Sequence, residues 1–163
     1  MVKYKHRIAD RILERKVLGK GAVLIEGPKW CGKTTTAKQL SKSILDLGDS
    51  SVLMQSSQLI EISPKALLEG KTPRLIDEWQ ALPTIWDCIR SEVDRRGEPS
   101  QFILTGSSVL PEAEETIHSG TGRFAYIKMR TMSLYESGES TGSISLSDLF
   151  EGKSFEVLQN EMD

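Results

Sequence analysis

Cysteine is scarce in this sequence: there are two, Cys31 and Cys88, and neither stands at ligand spacing from a third or fourth sulfur. Neither a disulfide scaffold nor a zinc site organises the chain. Long apolar runs are missing as well. No stretch approaches the roughly 18 residues of a spanning helix, and the charged N-terminus has no apolar core of a secretory signal. The expectation is a cytoplasmic chain that makes no membrane contact. An excess of one charge is also absent, since 21 Lys+Arg against 23 Asp+Glu leave a formal net charge of -2. Bulk charge therefore argues neither for nor against a nucleic-acid partner. His118 has no cysteine or second histidine at a useful spacing, which removes it as a metal ligand. A chain of 163 residues with 38% hydrophobic content has room for one domain with a proper core.

What is present is concentrated in one turn. Gly27-Pro28-Lys29-Trp30-Cys31-Gly32-Lys33-Thr34 follows the apolar run Ala22 to Ile25 and matches G-x-x-x-x-G-K-[ST]. In that pattern a strand delivers a loop of inward-turned backbone N–H groups, and a helix begins beneath them. Gly27 and Gly32 let the backbone pass close to an oligophosphate, and Lys33 places a positive charge between its outer phosphates. Thr34, followed by Thr35, offers a hydroxyl oxygen to Mg²⁺, and the helix N-terminus adds unpaired N–H groups and a favourable dipole end. The expected ligand is ATP or ADP with Mg²⁺.

Two further segments complete a site. Arg74-Leu75-Ile76 reads as a buried strand that delivers Asp77 and Glu78 at its C-terminal end, the edge that faces ligand in a parallel sheet. Asp77 is suited to hold the Mg²⁺, directly or through water, and Glu78 to take a proton from an attacking water. Gln101 to Leu104 reads as another strand, ending at Thr105. Its hydroxyl is placed to sense the terminal phosphate, with Ser107 as alternate. Arg123, on the glycine-bounded loop before a strand from Phe124 to Met129, has the reach of an arginine that completes a neighbouring subunit's site in a homo-oligomer.

Elsewhere the expectations are coarser. Residues 4 to 18 read as a helix with Ile8, Ile12 and Leu13 on its apolar stripe, extended by Val17 or Leu18, and with basic side chains over the rest. Thr34 to Leu47 reads as one helix using Ala37, Leu40 and Ile44 and ended by Gly48-Asp49. Ser51 to Gln55 reads as a short strand, Ser56 to Pro64 mainly as loop, and Ala66 to Leu68 as the close of a short helix. Pro83 opens a helix to about Arg95, with Ile85, Trp86, Ile89 and Val93 inward and Arg90, Asp94, Arg95 and Arg96 outward. Residues 136–147 are Ser/Thr/Gly-rich and read as loop or hairpin. The implied organisation is a basic amphipathic helix over 1–20, a phosphate-loop core over 21–135, and a further region from 136 to 163.

With these residues in place, the chain resembles the N-terminal ATPase part of prokaryotic AAA-like proteins that carry a C-terminal domain of unknown function with a nuclease-like fold. The likeness lies in Gly27 to Thr34, Pro73 to Gln80, Pro83 to Asp94, Phe102 to Ser108, Ser119 to Arg123, Met129 to Glu136 and Ser145 to Phe150. The resemblance implies an α/β, three-layer P-loop NTPase fold of the AAA-like ASCE type, with a mostly parallel five-stranded sheet. It also implies that a third strand separates the acid-bearing strand from the phosphate-loop strand. It assigns Lys33 and Thr34 to phosphate and Mg²⁺, Asp77 to the metal, Glu78 to water, Thr105 to the sensor and Arg123 to the arginine after the serine-glycine loop. It further implies that the chain is an N-terminal fragment or truncated member.

Mg²⁺-dependent ATP hydrolysis is thus the leading expectation. A small-molecule kinase shares the phosphate loop, but Glu78 beside Asp77 favours water over a bound acceptor, and no Asn-Lys-x-Asp segment supports a GTPase. The alternative is a regulatory module whose nucleotide is structural and whose basic first helix docks on DNA.

Overall fold

The computed structural model describes residues 4–107 and 122–152. Five strands form one sheet: β1 (Ala22–Gly27), β2 (Ser43–Asp46), β3 (Arg74–Asp77), β4 (Phe102–Ser107) and β5 (Phe124–Lys128). Their spatial order is β2-β3-β4-β1-β5, and every pairing is parallel. β4 therefore lies between β1 and β3, as the resemblance implies. The helices are α1 (Ile8–Gly19), α2 (Lys33–Leu40), α3 (Ser50–Ile62), α4 (Pro64–Leu67), α5 (Ile85–Arg96), α6 (Leu134–Ser137) and α7 (Leu146–Phe150), with a 3-10 turn at Trp79–Ala81.

A parallel sheet covered on both faces buries every residue of its central strands, and β1 follows that rule from Ala22 to Ile25. Alternation assigns each residue to a face. Ala22, Leu24, Ile76, Phe102 and Leu104 join Trp79, Ile85, Trp86, Ile89 and Leu67 in one core. Val23, Ile25, Leu75 and Ile103 join Leu13, Val17 and Ala37 in the other. Trp86 anchors the first core, stacked on Phe124 at 4.4 Å between ring centroids and tilted against Trp79 at 4.9 Å.

Three sequence expectations are corrected. The helix expected from Thr34 to Leu47 ends at Leu40, and Ser43–Asp46 is a strand at the edge of the sheet. Ala37, Leu40 and Ile44 fit a helical stripe, but Leu45 and Leu47 are the buried pair, two residues apart, and Ile44 is exposed. The strand expected at Ser51 to Gln55 and the loop after it are instead the single helix α3. Its N-cap is Asp49, whose carboxylate accepts from the N–H groups of Ser51 (2.8 Å) and Val52 (3.3 Å). Gly48-Asp49 thus starts one helix rather than ending another. On α1, Ile8 and Leu18 are exposed, and the packed stripe is Leu13 and Val17 with Ala9 and Ile12 partly buried.

The chain divides into two units. His6–Thr131 contains the sheet. The other unit comprises Met1–Lys5 and Met132–Asp163. In it, Ser133 and Glu136 cap α6 reciprocally, and Lys5 Nζ donates to the Ser137 carbonyl. Leu134, Leu146, Leu149 and Phe150 are exposed. Residues 108–121, which include Ser108, His118 and the segment Ser119-Gly120-Thr121, lie outside the described residues.

The C-terminal turn of α5 is held by a buried carboxylate that the outward-facing pattern of arginines does not announce. Glu92 accepts from Arg95 Nε (2.8 Å) and Nη2 (2.6 Å) and from Arg96 Nε (2.7 Å). Arg96 is therefore turned inward, where it also donates to Gln101 and to the Leu68 carbonyl and lies over the Phe102 ring. Hydrogen bonds from Arg95, opposed by burial and reinforced by Arg96, hold the Glu92 carboxyl down to about 2 from the ordinary 4.5. The unfolded chain binds more protons between those values, so this contribution is full above the unfolded pKa and is lost as pH falls toward about 2. Glu92→Gln is expected to lower stability near neutral pH by roughly 1–3 kcal/mol. It should also flatten the acid limb of the stability profile, as read by urea denaturation across that window.

Candidate nucleotide site

The phosphate-loop pattern folds as the strand–loop–helix that its chemistry needs. β1 ends at Gly27 and α2 begins at Lys33, with Gly32 as N-cap at φ 97, a left-handed conformation that favours glycine. Gly27 is required for a different reason from the one the sequence suggests. A Cβ there would stand 2.2 Å from the Met129 carbonyl oxygen and 3.0 Å from Cys31 Sγ, so the chain leaving β5 crowds it before any phosphate does. Cys31 is buried, and its N–H closes the turn onto the Pro28 carbonyl at 3.3 Å. Pro28, Lys29, Trp30 and Thr35 are exposed. Trp30, at φ 70 and 92% exposed, presents its ring to solvent with Lys29 Nζ at 5.9 Å from the ring centroid.

Lys33 is turned into the loop it follows. Its Nζ donates to the Gly27 and Pro28 carbonyls, each at 3.0 Å, and the residue is 6% exposed. A buried ammonium requires strong acceptors, and this one sits where a polyanion would be a stronger one.

Sheet register brings the remaining groups to the same edge. Ile76 pairs with Leu104 and Ile25 with Thr105, so Thr105 arrives beside the strand that feeds the loop and Asp77 one strand further along. Asp77, buried, receives two hydroxyls on one oxygen: Thr34 Oγ1 donates to Oδ1 at 2.8 Å, and Thr105 Oγ1 donates to the same atom. Thr105, fully buried, also accepts from the Glu78 N–H at 3.4 Å. Glu78 adopts a left-handed backbone, φ 53 and ψ 46, which is uncommon for a side chain of this size. That turn carries its carboxylate past the strand end, where Gln80 Nε2 donates to Oε2. Gly48, at the tip of β2, lies against the Glu78 side chain, since a Cβ there would be 3.6 Å from Cγ.

The donor set fits a hard divalent cation. Thr34 Oγ1 and Asp77 Oδ1 are 2.8 Å apart. A hydroxyl and a carboxylate oxygen are the hard donors that such a cation takes.

Arg123 lies elsewhere. Phe124 pairs with Ala22, and Ala22 N–H donates to the Arg123 carbonyl, so Arg123 stands at the opposite end of β1 from Gly27, about 17 Å along the strand. Its guanidinium pairs with Asp94, whose carboxyl it holds below the ordinary range. It therefore does not act on the loop of its own chain. Gln80 and Arg7, which sequence reasoning did not single out for the site, do touch it. Gln80 was legible only as the polar residue two positions beyond Glu78, and Arg7 was indistinguishable from the basic face of α1.

A family model described as an AAA domain matches residues 19–138. The uncharacterized protein Mb2031c of Mycobacterium bovis and the uncharacterized protein Rv2008c of Mycobacterium tuberculosis are each 27% identical to this chain over 138 residues. That alignment covers 83% of this chain and 31% of each relative, so the chain spans about a third of their length. Among solved structures, that of C. elegans PCH-2 aligns with 71% of this chain and 36% of its own, at a TM-score of 0.45 and 19% identity.

Thr105 ties β4 to the acid-bearing strand through one hydroxyl. Thr105→Val should leave the Glu78 N–H and one lone pair of Asp77 without that partner and lower stability by about 1–3 kcal/mol. Thr105→Ser should recover most of the loss, with urea denaturation as the measurement.

Proposed function

The chain belongs to the AAA-domain family, and from that premise we propose that it binds ATP with Mg²⁺ on residues 27–35 and hydrolyses it with Glu78 as the base. The observation that carries this reading is the single oxygen, Asp77 Oδ1, that joins the hydroxyls of Thr34, in the first turn of α2, and Thr105, on β4. A structural turn has no need to gather an acid, two hydroxyls and a buried lysine at one sheet edge.

In this reading the loop amides and Lys33 hold the phosphates, with Lys33 exchanging its carbonyl acceptors for phosphate oxygens. Mg²⁺, held by Thr34 and by Asp77 directly or through water, would neutralise charge between the outer phosphates. Glu78 takes a proton from a water as its oxygen attacks the terminal phosphorus in line. The bond from that phosphorus to the bridging oxygen breaks, releasing ADP and inorganic phosphate. Gln80 holds the Glu78 carboxylate in place, and Thr105 orients the Glu78 backbone. Arg123 has its role only in trans, completing the site of a neighbouring copy after leaving Asp94. Among the described residues no helix is long and apolar enough to cross a membrane. The nuclease-like second domain of the resemblance has no counterpart among the described residues and plays no part in this reading.

The alternative, a nucleotide-regulated module docking on DNA through its first helix, is the weaker one. Lys5, Arg7, Lys16 and Lys20 each donate to a backbone carbonyl, which gives much of the basic run an internal use.

Trp30 is exposed while Trp79 and Trp86 are buried, which makes its fluorescence a reporter of nucleotide on the loop. Lys33→Ala is expected to abolish the ATP-dependent change. Glu78→Gln should keep ATP affinity within a few-fold while phosphate release falls by about 10²-fold or more. Equal loss of binding in both variants would overturn the role given to Glu78, and binding without phosphate release by the unaltered chain would favour the regulatory module.

A further inference from the structure

Arg7 stands in the basic N-terminal run, yet only 8% of it is exposed, and its guanidinium lies against the phosphate loop. Nη1 donates to the Cys31 carbonyl at 2.8 Å, and Nη2 donates to the Arg130 carbonyl at 2.9 Å. Its own backbone is fixed from both sides by Asp10. The Arg7 N–H donates to Asp10 Oδ2 at 2.8 Å, and the Arg7 carbonyl accepts from the Asp10 N–H at 3.0 Å. The backbone that carries the fork is thus held at the start of α1.

In a trans peptide the C=O and the following N–H point in opposite directions across one plane. We infer that Arg7 is a positioning residue for the phosphate loop: by drawing the Cys31 carbonyl outward it turns the Gly32 N–H to the other side of the peptide, into the cradle. This role rests on the nucleotide reading above for its purpose, though not for its geometry. A planar fork suits the task because one group must reach two carbonyls on separate segments, the loop and the chain leaving β5. Gly32 shares the positive-φ backbone of this loop with Trp30, and as a glycine it has the more conformational freedom to lose that shape.

Lys16 provides the comparison for a purely structural tether. It too lies on α1 and donates to a carbonyl of the β5 segment, Tyr126 O, at 2.7 Å, but it does not contact the phosphate loop. The experiment measures Arg7→Ala, Arg7→Lys and Lys16→Ala on the full chain in two ways. One is amide hydrogen exchange without nucleotide at Cys31 and Thr36, whose N–H groups donate to the Pro28 and Gly32 carbonyls. The other is ATP affinity by Trp30 fluorescence. Arg7→Ala should speed exchange at both amides by about tenfold or more and weaken ATP binding by about tenfold or more. Arg7→Lys should fall between, since an ammonium reaches one carbonyl but does not span two. Lys16→Ala should leave both readouts within about twofold even where it lowers the melting temperature.

Should Arg7→Ala fail to fold, Arg7→Lys against Lys16→Ala decides the matter. Arg7 variants indistinguishable from Lys16→Ala in loop exchange would overturn the inference. If the unaltered chain binds no ATP, the nucleotide reading falls, while the exchange comparison still decides whether Arg7 sets the loop.

Discussion

One carboxylate oxygen carries the architecture of the site. Asp77 Oδ1 accepts a hydroxyl from the first turn of α2 and a second from β4. Neither donor is a neighbour in sequence, so the contact exists only when β1, β4 and β3 lie side by side in that order and in that register. Hydrogen bonds to a charged acceptor are stronger than those between neutral groups, and in a buried setting they fix direction as well as distance. The acid thus locks the loop strand, the inserted strand and its own strand at one level. Glu78, Lys33 and the phosphate loop inherit their positions from that alignment.

The price of that alignment falls on the backbone beside it. Glu78 leaves the strand in a left-handed conformation, and Gly106 admits no side chain because a Cβ would meet Gln80 Oε1 at 2.7 Å and Trp79 Nε1 at 2.9 Å. Strain of this kind persists only where surrounding packing enforces it. Here the packing is the Trp79–Trp86–Phe124 stack beneath the 3-10 turn. The first core therefore does more than exclude water, since it holds the segment that carries the proposed base in a shape that a free chain disfavours.

How much could be read from the sequence follows from the range over which each signal acts. The loop from Gly27 to Thr34 was legible because its residue types answer local demands. The strands β1, β3 and β4 were legible because burial on both faces leaves unbroken apolar runs, and β5, at the sheet edge, through the apolar stretch Phe124 to Ile127. β2 was not, because an edge strand of four residues has one covered face, and Ala37, Leu40 and Ile44 imitate a helix through it. α3 was hidden by its cap: Asp49 after Gly48 reads as a stop until its carboxylate is seen to accept from Ser51 and Val52. Arg7, Glu92 and Gln80 were illegible for a common reason. A charged or polar side chain shows its type in the sequence but not its partner, and each partner here is fixed by the folded chain. Arg123 shows the same limit, since its loop context suggested reach toward a phosphate and the strand register sets it at the far end of β1.

The lysines of α1 also bear on how copies of this chain can meet. β5 is the last strand on its side of the sheet, and Lys16 and Lys20 reach across to the Tyr126 and Gly122 carbonyls. Strand addition along that side has to displace charged groups already engaged with the backbone, a standard defence of exposed sheet margins. Growth of an assembly by continuing the sheet is disfavoured there. A contact on this side would have to be made by helix surfaces and loops, which can separate and rejoin without rewriting the hydrogen bonding of the core.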